Sequence, residues 1–342
     1  MEQKNITVAI NGFGRIGRFF FRRALHTPGI TVVAINDLGN IDNLAYLLKY
    51  DSVYGTLPED VRVEDGFLIA GNVRAKVLSE KDPALLPWSE LSVDVVVEST
   101  GVFDTYEKAS AHVKAGARRV VITAPVKEGV GTETGATVLM GLNDTSLKDI
   151  VVSSNASCTT NAASPLIAIL DESIGIEKAI LNTVHGYTAT QSIVDSPVKG
   201  SDMRRGRAAA VNIVPSSTGA AVAVTQAYPS LLGKFDGVAM RVPVPSGSMV
   251  DVTFVAKRNT FAEEINDLLE KASGDERWKG IFSVTREQLV STDILGLPYA
   301  SIADLSLTRV VDGNLVKVLA WYDNEAGYTE TLLRHVIQAG RV

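Results

Sequence analysis

Two hydrophobic patterns divide the chain, and the first occupies residues 1–155. Short runs rich in β-branched residues alternate there with stretches of helical period. Near-continuous apolar runs are typical of strands buried on both faces, so this pattern predicts a parallel, doubly wound α/β sheet. The predicted strands are 6–11, 30–37, 93–100, 118–123 and 150–155, and the predicted helices are 15–26, 40–50 and 105–116.

After residue 158 the pattern changes, because a helical stretch is followed by longer strands that alternate between apolar and polar residues. Such alternation predicts an antiparallel or mixed sheet with one more exposed face. The segment 195–217 is polar and irregular, and loops of that length are usually functional. The predicted elements are the helix 162–174, the strands 178–190, 238–244, 249–257 and 315–324, and an amphipathic helix over 327–340 that is expected to pack on the first domain.

Composition narrows the classes of function. Apolar residues make up 46% of the 342 positions and the formal net charge is −6, which argues against a general affinity for nucleic acid or acidic membranes. The N-terminal residues lack the features of a secretory signal, and no apolar run is long enough to cross a membrane. We therefore expect a cytoplasmic protein. The single cysteine excludes an intramolecular disulfide, and its distance in sequence from the four histidines indicates no metal site.

Gly12, Gly14 and Gly17 follow the first strand in the G-x-G-x-x-G spacing of a dinucleotide-binding turn. Asp37 ends the second strand about 20 residues further on, where a carboxylate can bind a ribose 2′-hydroxyl and repel a 2′-phosphate. The turn and the acid together predict a site for NAD rather than NADP. A glycine-rich turn without function, and an aspartate that only caps a helix, are the structural alternatives.

Cys158 lies among hydroxylated residues at the start of a predicted helix. A helix N-terminus favours the thiolate, which is the nucleophilic form, so we expect Cys158 to be a thiolate and a nucleophile. His185, on a strand of the second domain, is the best candidate for its base. His26 and His112 lie in or near helices predicted to be exposed, and His335 lies in the terminal helix. An inert buried thiol and a structural histidine remain the alternatives.

A nicotinamide site beside a reactive thiol indicates oxidation of an aldehyde through a thiohemiacetal and a thioester. His185 would move the proton, and the backbone N–H of Cys158 would contribute to binding the oxyanion. Several donors suited to anions indicate a phosphorylated substrate. They are Thr188, Arg204, Arg205, Arg207, Thr218, Gly219 and Arg241.

Six motifs occur in order along the chain: INGFGRIGR, SNASCTTN, HGYTATQ, SSTGAA, MRVPVP and WYDNEAGY. With them, the chain resembles the phosphorylating glyceraldehyde-3-phosphate dehydrogenases over nearly its whole length. The resemblance implies a Rossmann-type doubly wound NAD-binding domain plus an α+β catalytic domain with a mixed sheet. We place the first domain at 1–155, joined by the C-terminal helix 324–342, and the second at 156–323.

The resemblance also implies roles for single residues. Cys158 would be the nucleophile and His185 the base, and two anion sites would bind the substrate phosphate and the attacking inorganic phosphate. The family is a homotetramer, and 195–217 corresponds to a segment that reaches toward a neighbouring subunit. The implied NAD contacts are Gly12, Gly14, Arg15, Ile16, Gly17, Asp37, Lys81, Thr123 and Asn324, and the implied anion ligands are Ser157, Thr159, Thr188, Arg204 or Arg205, Thr218, Gly219 and Arg241.

A few positions depart from the common pattern of the family. Ala326, Ala162 and Val222 stand where tryptophan, a second cysteine and lysine are common, and none of them touches the implied chemistry. Leu38 and Ser196 match places where NAD-specific and dual-specificity members differ, so some use of NADP stays open. Two rival functions also stay open: an erythrose-4-phosphate dehydrogenase, which hydrolyses its thioester, and a non-catalytic NAD-binding regulator.

Overall fold

The computed structural model describes residues 5–126, 135–198 and 200–342. The chain divides into two compact units, Met1–Ala156 with Thr329–Val342, and Ser157–Tyr328. The domain limits set from the sequence, after residues 155 and 323, stay a prediction. Within the described ranges no helix is both long and apolar enough to cross a membrane.

The first unit contains a parallel sheet that an antiparallel hairpin extends at one edge. Its strands are β1 (Ile6–Asn11), β2 (Ile30–Asn36), the short pair β3 (Tyr50–Asp51) and β4 (Gly55–Thr56), β5 (Val61–Glu64), β6 (Phe67–Ala70), β7 (Val73–Leu78), β8 (Val95–Glu98), β9 (Arg119–Ile122), β10 (Gly135–Thr137) and β11 (Val152–Ser154). The order in the large sheet is β10-β11-β9-β8-β1-β2-β7-β6-β5, with parallel pairing from β10 to β7. The pairs β5–β6 and β6–β7 are antiparallel.

The helices of this unit are α1 (Arg15–Ala24), α2 (Ile41–Lys49), α3 (Tyr106–Ala109) and α4 (Ala111–Lys114). The last two replace the single helix predicted over 105–116. The hydroxyl of Ser110 donates to the carbonyl of Glu107 at 2.6 Å, and such local bonds compete with regular helix geometry. The regular α-helix is therefore interrupted at Ser110.

The expectation that His112 is exposed is wrong. Its ring is 0% exposed, because Trp88, from the segment before β8, packs over it and donates its indole N–H to Nδ1 at 2.9 Å. Helical periodicity identifies the face on which a histidine lies, but it does not identify a distant loop that covers that face. His26 is exposed as expected, with 60% of its side chain accessible.

The second unit contains an eight-stranded mixed sheet. Its strands are β12 (Ile176–Gly186), β13 (Val214–Ser217), β14 (Phe235–Val242), β15 (Ser248–Ala256), β16 (Phe282–Thr285), β17 (Ser301–Asp304), β18 (Arg309–Val311) and β19 (Leu315–Tyr322). The order is β13-β14-β12-β15-β19-β17-β16, with β18 paired to β19. The pairs β12–β14 and β16–β17 are parallel and the others are antiparallel. The predicted fold class, a parallel doubly wound domain and an α+β domain with a mixed sheet, is confirmed.

Helix α5 (Cys158–Ile174) is the central helix of the second unit, and it packs on β15, β17 and β19. Most of its side chains are buried, as the apolar sequence predicts. The other helices are α6 (Ala220–Ala227), α7 (Ala262–Ser273) and α8 (Ala326–Arg341), the last of which continues beyond Tyr328 into the first unit.

The segment 195–217 is not wholly irregular. Residues 214–217 form the edge strand β13, and Pro215 is tolerated there because an edge strand leaves one row of backbone groups without ladder partners. Short 3-10 turns occupy Met203–Gly206 and Ala209–Val211. Residue 199, within the same segment, lies outside the described residues.

Candidate active site

The glycine turn has the geometry that a dinucleotide needs. Gly12 adopts φ +93°, and a Cβ there would stand 2.6 Å from the backbone nitrogen of Thr100. A Cβ at Gly17 would stand 2.2 Å from the carbonyl oxygen of Gly12, so side chains are excluded from both positions. Around Gly14 the space is open to 4 Å. Gly14 thus gives a phosphate close access to the backbone at the start of α1, where the helix dipole favours an anion.

A cavity of about 760 Å³ opens beside this turn in the first unit. Asp37 lies in its wall, and its Oδ2 accepts the N–H of Phe13 at 2.6 Å, so the acid also fixes the turn. The carboxylate of Asp37 and the open space at Gly14 fit NAD, because they can bind a ribose hydroxyl and a pyrophosphate. The lining residues are Asn11, Gly12, Gly14, Asn36, Asp37, Leu38, Glu80, Lys81, Asp82, Pro83, Ser99, Thr100, Val102 and Phe103.

Of the other predicted NAD contacts, Arg15, Ile16, Gly17 and Thr123 are not among the described residues that line the cavity. Arg15 and Ile16 begin α1, and the Arg15 guanidinium binds Asp51 at 2.6 Å. Thr123 follows β9 and its N–H donates to the Glu98 carbonyl.

Asn324 lies in the second unit, after β19. Its Oδ1 accepts the Ser248 hydroxyl at 2.9 Å and the Gly247 N–H at 3.1 Å. These bonds fix the orientation of its amide, and the predicted role of Asn324 in binding NAD stays a prediction.

In the second unit, Cys158 and His185 lie together, as the proposed chemistry requires. Cys158 is the first residue of α5, and Ser157 caps that helix by accepting the Thr160 N–H at 3.1 Å. His185 is the penultimate residue of β12, and its Nε2 lies 3.4 Å from the Cys158 Sγ. The other ring nitrogen, Nδ1, lies 2.6 Å from the Gly186 carbonyl. A base for Cys158 requires the tautomer with its proton on Nδ1, in which the ring donates to that carbonyl and directs the Nε2 lone pair toward the thiol.

Arg241 brings a positive charge to this pair. It lies opposite His185 on the neighbouring strand β14, and its Nη1 contacts the His185 Nδ1 and donates to the Gly186 carbonyl at 3.2 Å. Burial lowers the pKa of the Arg241 guanidinium from its usual value. Anion ligands are thus favoured here, because an anion would offset the charge that burial leaves poorly solvated.

The protonation state of Cys158 differs from the thiolate that we expected at the helix N-terminus. Burial raises the pKa of the Cys158 thiol, and the charge of Arg241 and the N–H groups at the helix start only partly oppose that shift. Burial, together with the charge of Arg241, lowers the pKa of His185 to about 3. The resting pair is therefore a thiol beside an uncharged imidazole, because loss of solvent outweighs the helix dipole.

Tyr322, which the sequence analysis did not single out, links the elements that carry the pair. Its hydroxyl, at the end of β19, lies 2.8 Å from the hydroxyl of Thr159 on α5 and 2.8 Å from that of Thr183 on β12. Its ring packs edge-on against His185. The buried tyrosine within an alternating strand gave a signal for a core residue, but the two threonine partners could not be identified from spacing.

The structure groups only some of the predicted anion ligands with Cys158. Ser157 and Thr159 flank it, and Arg241 contacts its histidine. Thr188 bonds to Thr190, Thr218 accepts the Ala220 N–H, and Gly219 precedes α6 in open space.

The two arginines that the resemblance left open differ in their surroundings. Arg204 is 59% exposed and binds Asp202 at 2.8 Å. Arg205 donates to the Ser216 hydroxyl at 2.9 Å and to Thr190, the partner of Thr188. Its charge also acts on Arg241. Arg205 also pairs with Asp202, at 3.8 Å, but its other contacts connect it to Arg241 and to Thr188.

Comparison of the sequence with known proteins assigns both units to one family of dehydrogenases. The family model for the glyceraldehyde 3-phosphate dehydrogenase NAD binding domain matches residues 6–106, and that for the C-terminal domain of the same family matches 157–324. Curated relatives named glyceraldehyde-3-phosphate dehydrogenase include one from Clostridium pasteurianum, 46% identical over 96% of each chain. The relative named glyceraldehyde-3-phosphate dehydrogenase 1 from Streptomyces avermitilis is 46% identical over 98% of each chain, and one from Borreliella burgdorferi is 47% identical over 94% of this chain and 96% of its own. The chain belongs to the glyceraldehyde 3-phosphate dehydrogenase family.

Proposed function

We propose that the chain is an NAD-dependent, phosphorylating glyceraldehyde-3-phosphate dehydrogenase. It would oxidise the aldehyde of glyceraldehyde 3-phosphate and transfer the acyl group to inorganic phosphate, forming 1,3-bisphosphoglycerate. The observation that carries this proposal is the 3.4 Å distance between the Cys158 Sγ and the His185 Nε2. A thiol in that geometry can lose its proton as it attacks a carbonyl carbon.

In the first step the Cys158 sulfur bonds to the aldehyde carbon while His185 accepts the thiol proton and passes it to the carbonyl oxygen, which becomes the thiohemiacetal hydroxyl. His185 then takes the proton of the thiohemiacetal hydroxyl as the hydride leaves, so that a thioester on Cys158 results. NAD, when bound, supplies the acceptor for that hydride. A phosphate oxygen then attacks the thioester carbon, and the Cys158 sulfur leaves with the electron pair of the broken bond.

Arg241 would couple substrate binding to the base. Burial is the main cause of the lowered pKa of His185, and the positive charge of Arg241 adds to it. A phosphate group bound to Arg241 would compensate that charge, and the pKa of His185 would rise toward values useful for a base. His185 would thereby become a stronger base only once the substrate is bound.

The remaining site residues are proposed in the roles that the family resemblance implies. Two anion sites would bind the substrate phosphate and the attacking inorganic phosphate, and their ligands would include Ser157, Thr159, Thr188, Thr218, Gly219 and Arg241. We favour Arg205 over Arg204 as the further anion ligand, because Arg205 donates to Thr190, the partner of Thr188, whereas Arg204 is 59% exposed. The proposed NAD contacts are Gly12, Gly14, Arg15, Ile16, Gly17, Asp37, Lys81, Thr123 and Asn324.

We further propose a homotetramer in the cytoplasm, in which each subunit has the two domains set from the sequence. Support for assembly comes from apolar side chains that are largely exposed around the irregular segment of the second unit. These are Ile193 (84%), Met203 (81%) and Val211 (77%). Side chains of this kind grouped on one segment favour contact with another chain. Analytical ultracentrifugation would test the proposed assembly.

Initial rates of NAD reduction with glyceraldehyde 3-phosphate, with and without inorganic phosphate, test the proposed activity. We expect turnover to require phosphate. An unchanged rate without phosphate would contradict the phosphorylating step and favour a hydrolytic enzyme, and the same assay with erythrose 4-phosphate would identify that rival. Repeating the assay with NADP tests the expected preference for NAD.

A further inference from the structure

Three polar side chains stand in a row inside the first unit, at the carboxyl ends of neighbouring strands. Asn36 ends β2, Asn11 ends β1 and Glu98 ends β8, and the sheet register places Asn11 directly opposite each of the other two. None of the three is more than 4% exposed. Polar groups buried this deeply are costly unless every one has a partner.

Glu98 is the centre of the network that satisfies them. Its Oε1 accepts the backbone N–H of Thr100 at 2.9 Å and the hydroxyl of the same residue. Its Oε2 accepts the Asn11 amide at 2.6 Å and the His112 ring nitrogen Nε2 at 3.0 Å. Each carboxylate oxygen therefore has two donors, and the position of the carboxylate is fixed from four directions.

His112 is fixed in turn by Trp88. The indole N–H of Trp88 is a donor only, and it lies 2.9 Å from the His112 Nδ1. Nδ1 must therefore accept, so the ring carries its proton on Nε2, which donates it to Glu98. Both rings are completely buried. The hydrogen bonds thus run in one direction, because Trp88 donates to His112 and His112 donates to Glu98.

The outer members of the network form part of the wall of the cofactor cavity. The inner residues Trp88, His112 and Glu98 are not among the described residues that line it. Asn11, Asn36 and Thr100 line the cavity. Thr100 accepts the N–H of Val102 at 3.0 Å, and Asn36 bonds to both the N–H and the carbonyl of Glu80. Two loops of the cavity wall are therefore attached to one buried carboxylate.

We propose that Trp88, His112 and Glu98 are positioning residues for the cofactor, and that they fix the cavity wall through Thr100 and Asn11 in the conformation that binds NAD. Apolar side chains could fill these buried positions without a desolvation cost. A fully bonded network instead fixes directions, which a binding site requires and a hydrophobic core does not. The proposal rests on the NAD site proposed above.

Calorimetric titration of the full-length protein with NAD tests the proposal without depending on activity. We expect Glu98→Gln and His112→Gln each to raise the Kd for NAD about tenfold, since each leaves buried donors or acceptors at the wall without partners. In steady-state assays the KM for NAD should rise more than kcat falls. The matched control is His335→Gln, at a second fully buried histidine of the same unit, which bonds to Ser153 and Asn155 instead.

Thermal unfolding without NAD separates positioning from general damage. We expect the control variant to lose thermal stability but to keep the wild-type Kd within about twofold. Trp88→Phe is the mildest variant, because it keeps an aromatic ring and removes one N–H, and it should still raise the Kd. A wild-type Kd in folded Trp88→Phe, or an equal rise in the control, would overturn the proposal. A wild-type protein that binds no NAD would overturn the proposed function as well.

Discussion

His335 provides a quantitative test of how burial controls titration in this chain. The side chain lies in α8 and is fully buried. Its Nε2 lies 2.7 Å from the Ser153 hydroxyl, and its Nδ1 lies 3.1 Å from the Asn155 amide oxygen. Burial lowers its pKa from 6.5 to about 3. Between these two pH values the unfolded chain therefore binds a proton at this histidine and the folded protein does not.

The sign follows from this difference in bound protons. Between about pH 6.5 and pH 3 the unfolded state binds more protons, so stability is complete above that interval and is lost as the pH falls through it. Each pH unit costs about 1.4 kcal/mol. Lowering the pH from about 7 to about 5 should therefore remove ~2 kcal/mol of unfolding free energy through His335 alone.

Urea unfolding of the wild type and of His335→Gln, at both pH values, measures this contribution. The glutamine variant is less stable at either pH, but its free energy of unfolding should decrease by ~2 kcal/mol less than that of the wild type between the two. The pKa of His185 is also lowered to about 3, and its contribution cancels because it is present in both proteins. An identical decrease in the two proteins would refute the reasoning.

Three further predictions concern the site. Cys158→Ser should abolish aldehyde oxidation and leave the Kd for NAD unchanged; residual turnover would contradict the role of the thiol. Asp37→Ala should raise the ratio of kcat/KM for NADP to that for NAD, since the carboxylate that repels a 2′-phosphate is gone; an unchanged ratio would exclude Asp37 as the discriminating group. Tyr322→Phe should cost ~1–3 kcal/mol of stability and lower kcat, because Thr159 and Thr183 both lose a hydrogen-bond partner; full activity would show that these bonds do not position the pair.

The first unit could be predicted well where the sequence signal is local. The strand predicted over 6–11 coincides with β1, and the glycines at 12, 14 and 17 lie where strand and helix predict a turn. The hairpin of β5 and β6 was missed, although Asp65 and Gly66, both with positive φ, form a dipeptide typical of tight hairpins. The alternation of apolar and charged residues over 61–64, directly before that dipeptide, could have revealed the hairpin.

The candidate site depends on contacts that no local pattern contains. Cys158 and His185 meet because α5 packs beside the sheet that contains β12, and Arg241 joins them because β14 pairs with β12 in parallel. The order of these strands is not readable from their sequences. The raised pKa of the thiol has the same origin, since it reflects burial by the whole unit rather than the helix start alone.

The buried network around Glu98 could likewise be predicted only in part from the sequence. Its strand-end residues were visible as polar positions that close apolar runs, yet Trp88 lies in a segment without a regular pattern. Only the folded chain brings that indole to His112. Polar residues at the ends of buried strands are thus a usable signal for a binding edge, whereas their supporting partners are not.

The central claim is that Cys158 carries the acyl group between oxidation and phosphate transfer. Mass spectrometry of the protein, mixed with glyceraldehyde 3-phosphate and NAD without phosphate and then quenched in acid, tests it directly. We predict a single burst of NADH and a 3-phosphoglyceroyl group on the peptide that contains Cys158, which disappears when phosphate is added before the quench. NADH formation with an unmodified Cys158 under these conditions would contradict the mechanism.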